Sequence, residues 1–391
     1  AFRIPEGFAW YALYPDSYAE ASARWADARQ GTRVLVIGLR SIGTSLSAAV
    51  AAALAQAGVE VAARITLRPD GHPFARRARL PAGLPVADAA VIVDEGPGLS
   101  GSSMAAVAEA VLAAGMKAEA ISFFPGHARG PGAEADDAVR RWWQPERCFV
   151  AAPPAIAADE GSGLSWLFGG FAAVNAQLDT LAEVKRARQQ ALAARGLALP
   201  SPAAQDGWIA IAGDGVALTR SDLSEALMRD TLAPYVAAAS RRADDPEAVA
   251  RGLKRIAAAL GLPVPGHVAD LCRSMRLAGD GRIGPAQWLR RFDGAVLKRD
   301  ATGTDCEHTW QGQQCVLWDA GAASAEWEMD EGARALWMCC LRDAGITADE
   351  QAMAFHEAGH CALELARARH AGEHGLARRY DHLLHAALAR M

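Results

Sequence analysis

Short apolar runs and alanine-rich stretches alternate through the first 150 residues. Arg33–Ile37 is rich in Val and Ile and reads as a buried strand. Thr44–Gln56 reads as a helix that stops at Gly58. Val59–Leu67, Ala89–Val93, Ala118–Phe124 and Arg147–Ala151 read as further strands, and Ser102–Gly115 and Ala133–Trp143 as helices between them. Strands alternating with helices predict a parallel sheet covered on both faces, with ligands at the carboxyl ends of its strands. The glycine-rich turns 38–43 and 94–101 both fall at such ends.

Beyond Pro153 the pattern changes. Leu164–Arg195 reads as a helix, and Gly196–Gly207 as a Pro/Ala/Gly linker. Trp208–Leu218 reads as a hairpin turning at Gly213-Asp214-Gly215, and Ser221–Leu260 as helical up to the Pro263/Pro265 break. Cys315–Asp319 reads as a strand, and Glu331–Arg390 as two or three helices. The expected organisation is an α/β domain over 1–155 and a mostly helical α+β region over 156–391, with a sub-boundary near 200–207.

Composition is 51% hydrophobic and 22% charged over 391 residues, enough for a sizeable core. The net charge of −5 argues against a nucleic-acid partner. Seven scattered cysteines without a CxxC pair predict reduced thiols and a cytoplasmic protein. The chain opens on Ala1 rather than Met, so a trimmed start is expected; no targeting segment is visible, and no apolar run is long enough to span a bilayer. The aromatic-rich first thirty residues predict core side chains, with Trp10 or Tyr11 as a candidate platform for a base.

The candidate chemistry lies in 91–103. Apolar strand residues lead into Asp94 and Glu95, then glycines, then Ser100-Gly101-Ser102-Ser103 opening a helix. Backbone N–H groups at a helix start, with serine hydroxyls, suit a phosphate. Two carboxylates beside it suit sugar hydroxyls, or Mg²⁺ held through water. The lysine of a GxxxxGK[ST] loop is absent. This stretch resembles the sugar-phosphate loop of type I phosphoribosyltransferases, with a spacer one residue longer and no acid where some members contact the base. Gly38-Leu39-Arg40-Ser41-Ile42-Gly43 resembles that family's diphosphate loop, and the basic stretch 68–79 falls where the family keeps a lid.

The resemblance implies a doubly wound parallel sheet and a Mg²⁺-dependent transferase acting on phosphoribosyl pyrophosphate (PRPP) or a related ribose 5-phosphate ester. Asp94 and Glu95 would hold the ribose and the ion, and Arg40 the departing diphosphate. Ser41, Ile42, Gly43, Gly98, Leu99, Ser100, Gly101, Ser102 and Ser103 would bind substrate, with Arg68, His72 and Arg76 in the lid. A homodimer without membrane or nucleic-acid partners is expected. The alternative is a PRPP-fold sensor or adaptor without turnover, whose helical region binds a partner.

His356-Glu357-Ala358-Gly359-His360 fits HExxH, which on a helix would place two zinc ligands on one face with Glu357 as general base; a zinc metallopeptidase is the third reading. The spacing to His370, Glu373 and His374 fits no zincin pattern, and a core stripe of Phe355, Ala358, Cys361, Ala362 and Leu365 is the favoured reading. Gly279-Asp280-Gly281-Arg282-Ile283 echoes part of an EF-hand, but Arg276 and Gln287 stand at its first and last ligand positions, which argues against calcium. Thr219-Arg220-Ser221 resembles the Thr-Arg-Ser-Pro signature of a domain that follows phosphoribosyltransferase-like domains in bacterial tellurite-resistance and stress operons, with Asp222 replacing the proline. Lys298, Arg299 and Asp319, near a predicted strand, read as surface charges, with the lining of a cleft as the alternative.

Overall fold

A computed structural model describes residues 13–98, 100–128, 130–132, 135–151, 164–168, 171–174, 177–205, 208–242, 246–275, 277–302, 314–370 and 372–391. The chain forms two compact units, Ala1–Ala157 with Gly170–Asp179, and Ala158–Gly169 with Thr180–Met391.

Unit 1 is built on β1 (Arg33–Leu39), β2 (Glu60–Leu67), β5 (Ala89–Val93) and β6 (Ile121–Phe124), all parallel in the order β2-β1-β5-β6. The Val/Ile-rich β1 and β5 are central, and their side chains point alternately into two apolar layers. One layer packs α1 (Pro15–Ala26) and α2 (Gly43–Gln56) through Trp25, Leu46 and Val50. The other packs α3 (Ser102–Ala113) through Met104, Val107 and Val111. A short hairpin, β3 (Asp70–His72) with β4 (Ala75–Arg77), rises after β2. The expected fifth strand at 147–151 is instead a 3₁₀ turn, Pro145–Arg147, followed by an isolated bridge between Phe123 and Cys148. The expected helix at 133–143 is one turn, α4 (Asp137–Arg140), capped by Asp136.

Unit 2 departs further from the sequence pattern. Leu164–Phe168, read as helix, is strand β7, and the helix α5 begins only at Leu181 and ends at Ala193. The hairpin expected at 208–218 does not form. Trp208–Ala212 (β8) pairs with β7, whereas Val216–Ala217 (β9) pairs with a distant strand, Trp288–Arg290. Thr219-Arg220-Ser221 serves local structure: the Thr219 N–H and hydroxyl both donate to Asp222, closing a 3₁₀ turn.

Helices α6 (Ala233–Ala239), α7 (Pro246–Leu260) and α8 (Gly266–Met275) lead to the short strand β10 (Leu277–Ala278). A hairpin of β11 (Trp288–Arg290) and β12 (Val296–Lys298) follows. Then come α9 (Leu317–Glu326), α10 (Glu331–Asp343), α11 (Glu350–His370) and α12 (His374–Leu388). Residues 317–319, read as strand, open α9, which is buried from Leu317 to Ala325. Gly321 lets α9 lie directly on α11: a Cβ there would stand 2.4 Å from the Glu357 backbone nitrogen. Gly321→Ala is therefore expected to force the two helices apart and to lower the unfolding free energy of unit 2 by roughly 1–3 kcal/mol in urea titrations.

Candidate functional site

In unit 1 the expected loops meet at the carboxyl edge of the sheet. A Cβ on Gly43 would stand 2.3 Å from the Val93 carbonyl oxygen, so the start of α2 touches the end of β5. The Asp94 carbonyl accepts a hydrogen bond from the Tyr18 hydroxyl at 2.9 Å. Loss of water pushes the Asp94 carboxyl up to about 7; the adjacent Glu95 charge adds to this, and the N–H groups of Glu95 and Gly43 oppose it.

The serines do not face an open seat. Ser100 and Ser102 both donate to the Pro73 carbonyl, at 3.0 and 2.8 Å, which docks the tip of the β3–β4 hairpin on the turn. Gly101 adopts φ 65° at the start of α3, and Ser103 is half-buried. Arg40 is exposed, with its Nε donating to Thr66 at 3.1 Å, and Ser41 beside it is exposed while Ile42 is half-buried. Arg68 and His72 are exposed, and Arg76 bonds the Gly71 carbonyl of its own hairpin. Gly98 is exposed; Leu99, Trp10 and Tyr11 lie outside the described residues.

Unit 2 holds a charge cluster that sequence reading placed on the surface. Asp319, on α9 and fully buried, accepts the backbone N–H groups of Asp280 and Gly281, each at 2.7 Å. Gly279 makes room for this, since a Cβ there would stand 2.6 Å from the Asp319 carboxylate. Burial raises Asp319 to about 6, with the Asp280 charge as the second cause and the two N–H groups opposing.

Asp280 is itself buried and paired with Lys298 at 3.2 Å and Arg188 at 3.3 Å. The Lys298 ammonium, also fully buried, donates to the Asp300 carbonyl and lies 5.4 Å from the Tyr235 ring centroid. The Asp300 carboxylate binds Arg282 and accepts from Thr302 N–H at 3.0 Å and Thr302 Oγ1 at 2.6 Å. Burial acts to raise it, but Arg282, Lys298 and Thr302 outweigh burial and hold it down at about 2. Gln287 stands at the same end of the β11–β12 hairpin, its carbonyl accepting from Arg299 N–H at 2.8 Å. Of the charges read as surface, only Arg299 is exposed.

The 281–287 loop forms one wall of a cavity of about 300 Å³, closed by Trp318 and Glu326 of α9 and by His360 and Glu364 of α11. The HExxH histidines do not converge. His360 bonds Glu326 at 2.7 Å, His356 faces Cys272, and Glu357 is buried in ion pairs with Arg334 and Arg390. Glu357 is committed to those cations, so the zinc-peptidase arrangement is absent.

No protein-family model matches the chain, and no curated protein matches its sequence. Solved structures match in part. A crystal structure of LicA in complex with AMP is similar at 11% identity over 54% of this chain and 79% of that chain, with a TM-score of 0.38. Choline kinase LicA from Streptococcus pneumoniae is similar at 11% identity over 57% and 93%, with a TM-score of 0.36. Choline kinase from Cryptosporidium parvum Iowa II is similar at 9% identity over 53% and 77%, also with a TM-score of 0.36.

These matched proteins are choline kinases, not phosphoribosyltransferases, and the expectations taken from that resemblance are corrected with them. The corrections cover the phosphoribosyltransferase-type doubly wound fold, phosphoribosyl transfer and its enzyme class, the PRPP-fold sensor, the link to stress-operon proteins, and PRPP or a ribose 5-phosphate ester as partner. The described sheet has four strands instead of five, and the hydroxyls of Ser100 and Ser102 are engaged by Pro73. Among the described residues no helix is long and apolar enough to cross a membrane.

Asp94 gives unit 1 a pH signature. Its folded-state value lies above its unfolded one, so its contribution to stability is complete below about pH 4 and is lost as pH rises through about 7. Asp94→Asn is expected to leave unit 1 roughly 2–4 kcal/mol more stable than wild type at pH 8, allowing for partial solvent access, with little difference at pH 4. Denaturant titrations at the two pH values check this.

Proposed function

We propose, from the geometry of unit 2 alone, that this chain binds a phosphate-bearing small molecule together with Mg²⁺ at the end of the β11–β12 hairpin. The observation that carries the reading is the Asp300 carboxylate, kept ionised and paired with the Arg282 guanidinium, 34% accessible, which with Gln287 lines the adjacent cavity. Carboxylate and amide oxygens are the hard donors Mg²⁺ prefers, and the residues present fit it. Asp300, in exchange for its present pair with Arg282, and Gln287 would hold the ion, which supplies neutralisation of phosphate charge. Arg282 supplies fork-shaped hydrogen bonding to a phosphate oxygen pair. The adjacent cavity has room for the rest of a small ligand.

A second reading is phosphoryl transfer to an acceptor in that cavity. It is favoured by the loop that brings Asp280 and Asp300 to one end of the hairpin, since transfer of this kind relies on positioning and charge stabilisation. Asp280, sealed against Lys298 and Arg188, takes no proton from an acceptor while those pairs are closed. Binding without turnover is therefore the primary reading.

In unit 1 we propose Asp94, Glu95, Arg40, Ser100 and Ser102 as a separate polar ligand site, exposed when the 70–77 hairpin lifts from the two serines.

Calorimetry on the full chain with Mg·ATP as probe tests the primary reading. Saturable binding is expected, weakened at least about tenfold by Asp300→Asn and abolished by EDTA. Equal binding with EDTA, or no binding at millimolar probe, would overturn it. Transfer of phosphate from the probe to an added acceptor by the wild-type chain would favour the second reading.

A further inference from the structure

The HExxH stretch separates two histidines that serve different surroundings, and one of them completes a cluster that spacing alone did not reveal. Cys272 on α8, Cys315 just before α9 and His356 on α11 are all buried, and their ligand atoms lie within 4.8 Å of one another. His356 has its orientation fixed. Its Nδ1 lies 2.8 Å from the Ala352 carbonyl, which can only accept, so Nδ1 carries the proton. Its Nε2 lone pair therefore faces the Cys272 sulfur at 3.9 Å. A histidine with one nitrogen donating to a backbone carbonyl is the usual arrangement of a metal-bound imidazole, because the carbonyl sets tautomer and ring angle.

We propose that Cys272, Cys315 and His356 form a binding site for a soft, thiophilic metal ion, Zn²⁺ or Cu⁺. Two sulfurs and an imidazole nitrogen select such ions over Mg²⁺ or Ca²⁺. Zn–S bonds of about 2.3 Å and Zn–N bonds of about 2.0 Å require the three groups to draw in by roughly 1 Å. Both thiols lose a proton on binding, so two protons leave for each ion bound. The ion would staple three elements from separate parts of the chain.

The site is coupled to the acid loop by sequence. Gly279, next to Asp280, donates to the Gln314 carbonyl, and Cys315 lies four residues before Asp319. Metal at Cys315 thus fixes the segment that presents both acids. This inference is independent of Mg²⁺ or phosphate binding at Asp300.

The test titrates the full chain, stripped of metal and held reduced with a non-chelating phosphine, with Co²⁺ as a spectroscopic stand-in for Zn²⁺, and separately with Cu⁺. One ion per chain is expected, with a thiolate-to-cobalt charge-transfer band and a higher unfolding temperature. Cys272→Ser, Cys315→Ser and His356→Gln should each weaken binding by more than the roughly 10–100-fold typical of losing an outer partner. Cys148→Ser and Cys339→Ser should leave it unchanged. Tight Co²⁺ binding assigns zinc, and tight binding of Cu⁺ alone assigns copper. If wild type binds neither ion at micromolar concentration, or if binding survives loss of Cys272 or Cys315, the site does not exist; the wild-type titration decides this even if a variant fails to fold.

Discussion

Asp280, Asp300 and Asp319 are buried together with Lys298, and Arg188 and Arg282 complete the charge balance from the edge. An ionised group in a protein interior is costly unless it is paired, and removing one partner strands the other at about 3–5 kcal/mol. Each member therefore fixes its neighbours. Asp319 anchors two backbone N–H groups, Lys298 bridges Asp280 and the Asp300 carbonyl, and Arg282 closes the outer side. The helices of unit 2 serve as walls that keep water from these pairs.

Rigidity and chemistry come from the same contacts. The loop from Gly281 to Gln287 forms one wall of the cavity, and its starting point is set by Asp319 on a buried helix. Asp280 and Asp319 are fully buried, whereas Asp300 is paired with the more exposed of the two arginines, Arg282. The ion site proposed at Asp300 rests on that difference. The same difference makes Asp280 a structural charge while its pairs stay closed. Gly279 and Gly321 matter because a side chain at either would occupy the space of the Asp319 carboxylate or the α11 backbone.

The strands of unit 1 were legible because Val and Ile runs such as Arg33–Ile37 and Ala89–Val93 are too short for helices and lead into glycine-rich turns. In unit 2 the same logic misled. Val316-Leu317-Trp318 is an apolar run of strand-like character, yet it opens a helix buried on all sides. Gly213-Asp214-Gly215 carries a strong local turn signal, but its two flanking segments pair with strands that come from elsewhere in the chain. The motif at 91–103 had the residue types of a phosphate seat, but sequence does not show that Pro73 reaches its serines. Lysine and aspartate are exposed by default, so the burial of Lys298 and Asp319 had no signal except their spacing around Asp280 and Asp300. The cysteine–histidine cluster was hidden because its members come from three separated segments.

The account depends most on Asp319 holding the acid loop, and amide hydrogen exchange measures this directly. The Asp280 and Gly281 amides of the wild-type chain should be strongly protected, and Asp319→Ala should release them selectively while β11 and β12 keep their protection. Equal exchange at both amides in the two proteins would contradict the claim that this buried carboxylate positions the loop.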